Sequence, residues 1–210
     1  MPTGGRARNR RDVLVPLSFG ATVPTPAGEF RAASYQSQTG SEHLALFIGM
    51  IRGARDVLTR LHSGCLTGDV VGSLRCDCGV QLRESMSQIA EEGLGVLIYN
   101  PSHEGRGIGL LEKLRAYRLQ DDGLDTVDSN VALGHLPDSR DYSIEAEILR
   151  DLGTKSIRLL TNNPHKMVEL EGLGIEVSGR VPMRGLLSRH NQAYLAAKTS
   201  KLGHWPDAFD

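Results

Sequence analysis

The three cysteines of this chain, Cys65, Cys76 and Cys78, fall within fourteen residues, in the run His62-Ser-Gly-Cys-Leu-Thr-Gly-Asp…Leu-Arg-Cys-Asp-Cys-Gly. An odd count rules out complete internal disulfide pairing, and three soft ligands this close together suit zinc with one coordination position left over. A zinc ion with three protein ligands and a bound water makes hydroxide near neutral pH, so the pattern points to metal-assisted hydrolysis. Two thiolates separated by one residue face a single metal only from a turn or irregular loop, which Gly79 would permit. The other reading adds His62 as a fourth ligand, closing the site so that it only braces the loop. Asp69 and Asp77 are candidates to orient groups around the metal, although each taken alone reads as a solvated surface carboxylate.

Three further segments carry chemistry. His103-Glu-Gly-Arg-Gly-Ile-Gly109 follows a strand and opens a helix. Glycines at such a turn let backbone N–H groups approach an anion, and the helix N-terminus adds a favourable dipole. Glu104 and Arg106 flank Gly105 and are placed to bond a base edge or a phosphate. The segment is neither a Walker A loop nor a dinucleotide-binding fingerprint. In Pro137-Asp-Ser-Arg-Asp-Tyr142, Asp138 and Arg140 are two apart and can point the same way from an extended stretch, while Asp141 is a helix-capping candidate. In Leu159-Leu-Thr-Asn-Asn-Pro-His-Lys166, Thr161 and Lys166 sit near a helix N-terminus, where Thr161 could equally cap and Lys166 be solvated.

The elements that must position these residues can be read from the pattern of apolar residues. The stretch Val13 to Arg60 is strand-like, with a turn at Thr25-Pro26-Ala27-Gly28 and a buried strand at His43 to Met50. Helices are expected over Gln81–Glu92, Ile108–Gln120, Tyr142–Leu152 and from about Pro164 to Leu170. Strands are expected at Gly95–Tyr99 and Ile157–Leu160. This order predicts an α+β, α/β-like fold, with a mixed β-sheet and flanking helices. No linker divides the chain, so residues 13–210 are expected to form one domain after a disordered basic tail at 1–12.

Composition narrows the class. The 210 residues are 40% hydrophobic and 23% charged with a net charge of −1, which argues against a general nucleic-acid binder. No apolar run approaches the roughly 18 residues needed to span a bilayer, and the N-terminal stretch lacks the apolar core of a secretory signal. Few clustered cysteines fit a reducing cytoplasm.

Together the segments resemble GTP cyclohydrolase II of riboflavin biosynthesis, from about Val23 to His204. The resemblance rests on Arg60-Leu-His-Ser…Cys65-Leu-Thr-Gly-Asp69, Ser73-Leu-Arg-Cys-Asp-Cys-Gly79, Glu104-Gly-Arg-Gly-Ile-Gly-Leu110, Asp125-Thr126, Asp138-x-Arg-Asp-Tyr142 and Leu160-Thr-Asn-Asn-Pro164. It implies a zinc enzyme that opens the imidazole ring of GTP, releasing formate from C8 and the β,γ-phosphates as pyrophosphate, to leave 2,5-diamino-6-(5-phosphoribosylamino)pyrimidin-4(3H)-one. Carried over by position, Cys65, Cys76 and Cys78 hold zinc. Arg140 matches a residue proposed as nucleophile at the α-phosphate, with Asp138 as its proton acceptor, and Tyr117 stands near the ring-opening chemistry. Gln81, Glu104, Gly105, Arg106, Thr126, Thr161 and Lys166 match nucleotide-holding positions, and Arg60, Leu61, His62, Ser63 and Gly64 match the nucleotide-contacting strand end. Magnesium on the triphosphate and a homodimer are also implied. Because a guanidinium stays protonated below a pKa of roughly 12, an electrostatic role for Arg140 stands beside the covalent one.

The chain departs from the family pattern at Gly64, where glutamate is usual, at Tyr99-Asn-Pro-Ser-His103, where arginine and glutamine are usual, and over Met183 to Asn191. The lost carboxylate at 64 would lie beside the first zinc ligand, able to bind magnesium or tune the metal's water. These departures suggest a paralogue with altered magnesium use, substrate or product, such as one that opens the ring and keeps the triphosphate. A non-catalytic nucleotide-binding module with a closed zinc site is the third reading.

Overall fold

The structure, a computed structural model, describes residues 15–185 and 187–205. The basic tail expected at 1–12 and the outermost ends of the expected domain lie outside the described residues.

Seven strands form one mixed sheet in the order β1-β2-β3-β5-β4-β6-β7. Its first half is an antiparallel meander of β1 (Val15–Thr25), β2 (Gly28–Gln36) and β3 (Glu42–Ile48), to which β5 (Gly95–Asn100) adds antiparallel. The second half is parallel: β5, β4 (Val57–Ser63), β6 (Ile157–Leu160) and β7 (Val177–Val181). Parallel neighbours need long crossovers, and these supply the helices. Between β4 and β5 lie α1 (Leu66–Asp69) and α2 (Cys78–Glu92). Between β5 and β6 come a 3-10 turn (Pro101–Arg106), α3 (Gly109–Asp121), α4 (Thr126–Ala132) and α5 (Ser143–Leu152). Helix α6 (Pro164–Gly172) joins β6 to β7, and α7 (Gln192–Leu202) follows. The expected mixed sheet with flanking helices is what forms.

Two apolar layers cover the two faces. Phe30, Leu46, Leu58, Ile89, Leu97 and Leu160 pack on the side of α2, with Leu82, Met86 and Ala90 from that helix against them. Phe47, Val57, Leu61, Ile98, Leu149 and Ile157 pack on the side of α5 and α6. Fully burying such side chains stabilises by about 1.5–3 kcal/mol each. Successive strand residues face opposite sides, and β4 shows what this does to the site. Leu58 faces the α2 layer, so Arg60 and His62 face it too, whereas Leu61 points into the opposite core.

Several elements differ from their sequence-based limits for local reasons. Helix α2 starts three residues early, at Cys78, and ends as expected on Gly93 in the left-handed region. Strand β3 stops at Ile48, because Gly49 turns the chain with φ 78° and leaves Met50 exposed. Helix α5 starts one residue later than expected, so Tyr142 takes the N-cap position expected for Asp141, which instead accepts the Ser143 N–H at 2.8 Å from one residue before the cap.

Gly64, just after β4, is fixed by contact. A Cβ there would lie 2.9 Å from Pro101 Cα, 3.0 Å from Asn100 O and 3.2 Å from Tyr99 Cε1. Two of the departures from the family pattern are therefore one local change, with Gly64 and Pro101 pressed together. The missing side chain would start toward that backbone. Gly64→Ala is expected to lower stability by about 1–3 kcal/mol through overpacking, read as a drop in Tm, with zinc content unchanged. An unshifted Tm with altered zinc content would assign Gly64 to the metal instead.

Candidate active site

The carboxyl ends of β4, β5 and β6 and the segments that follow them surround an open cleft. This is where open parallel sheets place ligands. Cys65 follows β4, Cys76 sits in the turn before α2, and Cys78 is the first residue of α2. Their sulfurs lie within 4.8 Å of one another, with Cys65 Sγ 3.7 Å from Cys76 Sγ, and all three are free thiols. Tetrahedral zinc with bonds of about 2.3 Å places its sulfurs about 3.8 Å apart, so the cage fits that metal. Hydrogen bonds from Cys76 and Cys78, with Lys113 adding, pull the Cys65 thiol far below its ordinary range. Its thiolate neighbour in turn pushes Cys76 up to about 11. Three thiols that cannot all ionise without a cation are what a metal relieves.

The glycines around the cage serve close approach. A Cβ on Gly68 would meet Cys76 Sγ at 2.8 Å, and one on Gly79 would meet Gly68 O at 2.3 Å. Gly79 is thus required because α1 lies against it, and its expected role as a turn residue does not hold. Neither acid in this region is solvated. Asp69 accepts the Cys65 N–H at 2.9 Å, the Tyr99 hydroxyl at 3.1 Å and the His62 Nε2–H at 3.0 Å. Asp77 accepts from Gln81 Nε2 at 2.6 Å and from the buried Lys198 Nζ at 2.9 Å. His62 therefore spends its Nε2–H on Asp69, and among the described residues it is not part of the converging metal-donor group. The closed site of three cysteines and a histidine is not what forms.

Lys113, on α3, places Nζ 3.1 Å from Cys65 Sγ and pairs with Glu104. Glu104 also accepts the Leu66 N–H at 2.6 Å, so its carboxylate braces the metal loop. Removing that cation by Lys113→Met is expected to weaken zinc binding about 10–100-fold, measured by competition with a chromogenic chelator. Unchanged affinity would show that Lys113 serves packing alone.

The rest of the cleft is cationic. Arg60, Arg106, Lys113, Arg140, Lys166 and Lys198 line it, against the single carboxylate of Glu104. Arg106, at φ 65° and facing the Tyr194 ring, holds both terminal guanidinium nitrogens buried with no hydrogen-bond partner among the described residues, and Arg60 Nε likewise has none there. Buried donors left open in this way mark where a ligand's acceptors belong. Arg60 otherwise bonds Leu160 O at 3.0 Å and Gln81 Oε1 at 2.7 Å. Lys166 is buried, not solvated, and donates to Leu61 O at 2.8 Å. Thr161 accepts the Asn163 N–H at 3.0 Å, and Thr126 is the first residue of α4 at the cleft wall. Arg140 clamps Asp138 through Nε at 2.8 Å and through Nη2, and reaches Ser63 Oγ at 3.2 Å with Nη1. Burial alone would lower its pKa, but Tyr142 and Asp138 raise it above its ordinary value. Tyr117 lies 3.3 Å from Thr67 Oγ1, and burial raises its phenol.

Most of the residues expected from sequence meet in this cleft. Leu61 is outside it, because strand parity turns it to the opposite core, and Asp138 stands behind Arg140. Residues not anticipated include Lys113, His103 and the α7 group Tyr194, Lys198 and Leu202, followed by His204. Lys201 and the following Gly203 are an ordinary helix-end signal that would have located α7.

Fold and site together present three converging cysteine sulfurs able to hold a metal beside a cleft rich in arginine and lysine. The chain belongs to the GTP cyclohydrolase II family, a family of hydrolases, whose sequence model matches residues 18–182. It is 54% identical, over 95% of its length, to the Probable monofunctional riboflavin biosynthesis protein RIBA 3, chloroplastic, of Oryza sativa subsp. japonica, and covers 37% of that protein. It is 52% identical to the Bifunctional riboflavin biosynthesis protein RIBA 1, chloroplastic, of Arabidopsis thaliana, covering 95% of this chain and 37% of the relative. Against the Riboflavin biosynthesis protein RibBA of Salinispora arenicola the identity is 54%, covering 94% and 47% respectively. The chain thus spans about half or less of the length of these curated relatives. No helix among the described residues is long and apolar enough to cross a membrane.

Proposed function

We propose that this chain is a zinc-dependent hydrolase that opens the imidazole ring of GTP, releasing formate and pyrophosphate, as the first step of riboflavin biosynthesis. The observation that carries this is a group of three cysteine sulfurs within 4.8 Å of one another, set in the wall of a cleft lined by arginines and lysines with Glu104 as the one carboxylate among the described residues. When bound, zinc would act as a Lewis acid and lower the pKa of a water to about 7. The protein's own groups do the rest. Arg106 and Arg60 offer open donors to the nucleotide, Lys198 adds positive charge for its phosphates, and Lys166, whose pKa burial and the nearby Arg60 and Arg140 hold well below the usual lysine range, adds a further N–H donor. Arg140, held protonated by Asp138, stabilises charge at the α-phosphate as the leaving pyrophosphate departs. Tyr117 keeps its hydroxyl proton and can donate it near the cage.

Magnesium belongs on the substrate triphosphate in this reading, since the cysteines supply the converging donor group found among the described residues. A homodimer and a cytoplasmic setting complete the proposal, the latter supported by three free thiols. The contact of Gly64 with Pro101 keeps a second reading in play, in which this reshaped wall leads to a triphosphate-retaining product. Incubation with GTP, zinc and magnesium, with formate and pyrophosphate quantified and the product weighed by mass spectrometry, tests both. Equal yields support the first reading, formate without pyrophosphate the second, and neither product removes both.

A further inference from the structure

Asn100 and His103, at the two ends of the segment that follows β5, are buried behind Arg140, while Pro101 and Ser102 between them are exposed. Asn100 donates from Nδ2 to the buried Glu145 at 3.0 Å, and Pro101 starts the 3-10 turn that lifts His103 into the interior. The His103 ring packs edge-on against Tyr142, with centroids 5.1 Å apart. Its Nε2 lies 3.0 Å from the carbonyl oxygen of Asp141, which can only accept, and 3.2 Å from Asn100 Nδ2, a donor that already has an acceptor in Glu145. The shorter contact, to an oxygen with no proton of its own, favours the proton on Nε2 and leaves Nδ1 as an acceptor. Nδ1 lies 3.2 Å from Ser63 Oγ, so the serine donates to it and turns its lone pairs toward Arg140 Nη1, also at 3.2 Å. In the opposite tautomer Nε2 would accept from Asn100 Nδ2 at 3.2 Å and Nδ1–H would face Glu145 Oε1 at 3.4 Å, but the Asp141 carbonyl and the Ser63 hydroxyl would each lose their partner on the ring. Burial, with Arg140 adding, pushes the imidazole pKa down to about 3, so it is neutral at physiological pH.

We propose that His103 is the positioning residue of Arg140: a neutral, Nε2-protonated imidazole that ties the backbone just after Arg140 to Ser63, and through Ser63 fixes the Nη1 edge of the guanidinium. The inference rests on the reading above for what Arg140 does, but its geometric content does not. His103 touches no substrate; it acts through Ser63 and Asp141. The two contacts are separable chemically. Gln can place its amide nitrogen near Nε2 and keep the donor to Asp141. Asn can place its oxygen near Nδ1 and keep the acceptor for Ser63. Phe removes both and keeps the ring against Tyr142.

The test has two arms on the full-length protein. Nitrogen NMR of the unmodified protein is expected to report the Nε2–H tautomer of His103, with the ring itself neutral between pH 5 and 8 even as the buried Glu145 beside it, pushed up to about 7, titrates. An Nδ1–H tautomer, or protonation of the ring in that range, overturns the proposal whatever the enzyme's substrate. In the kinetic arm, His103→Phe is expected to lower kcat for pyrophosphate release about 10–100-fold, with the KM for GTP and formate release little changed. His103→Asn and His103→Gln each recover part of the loss. The loss in Ser63→Ala should be non-additive with that in His103→Phe. Parallel loss of formate and pyrophosphate, or independent multiplication of the two single losses, overturns it. Wild-type protein that yields neither product defeats the functional reading, while the tautomer result still decides this one.

Discussion

Replacing Cys76 with serine is expected to give a protein without stoichiometric zinc, in which formate release from GTP falls on the order of 10³-fold or more. Cys65→Ser and Cys78→Ser behave alike, because the three sulfurs form one cage and two of them do not hold zinc tightly. His62→Ala keeps its zinc, since that ring faces Asp69. The sheet survives in all three cysteine variants: the apolar layers on its two faces do not depend on the sulfurs. Elemental analysis, circular dichroism and formate quantitation on the same preparations check this. A zinc-free serine variant with full formate release would sink the assignment of the cage to ring opening. Loss of zinc in His62→Ala with the fold intact would restore the closed site.

Arg140→Ala is expected to cut pyrophosphate release about 10²–10³-fold while formate release changes far less. The guanidinium sits between Asp138 and Ser63, away from the sulfur cage's own hydrogen bonds, so the two products report on different groups. Its pKa is raised, so the charged form persists throughout the working pH range. Pyrophosphate release should accordingly show no alkaline rise attributable to this residue, and no phosphorylated arginine should accumulate in rapid-quench mass spectra. Arg140→Lys should recover only part of the rate, because one ammonium cannot engage Asp138 and Ser63 together as the planar fork does. A trapped phosphoguanidine adduct would instead establish the covalent route.

How much of this was legible beforehand depends on the range of each interaction. Local signals carried well: Gly93 and Gly153 end their helices, the apolar spacing of Leu82, Met86 and Ile89 marks α2, and the cysteine spacing marks the cage. Asp125 caps α4 through the Val127 and Asp128 amides, a short-range signal that was present and passed over. Lys166, Asp69 and Asp77 read as solvated because their isolated context is polar. Their burial comes from partners at Leu61, Tyr99 and Lys198, none of them close in sequence except across folded elements. Leu61 is the converse case: its neighbours in sequence line the cleft, and one step of strand parity removes it.

The bond from Lys198 to Asp77 bridges a sequence separation of 121 residues. Contacts of that span form late, after the intervening chain has been ordered, because loop closure must precede the gain from the contact. During synthesis the three cysteines therefore leave the ribosome long before the lysine that braces the turn between two of them. In that interval the thiols lack the surroundings they have in the finished fold, and the turn between Cys76 and Cys78 gains its brace only once α7 has been made.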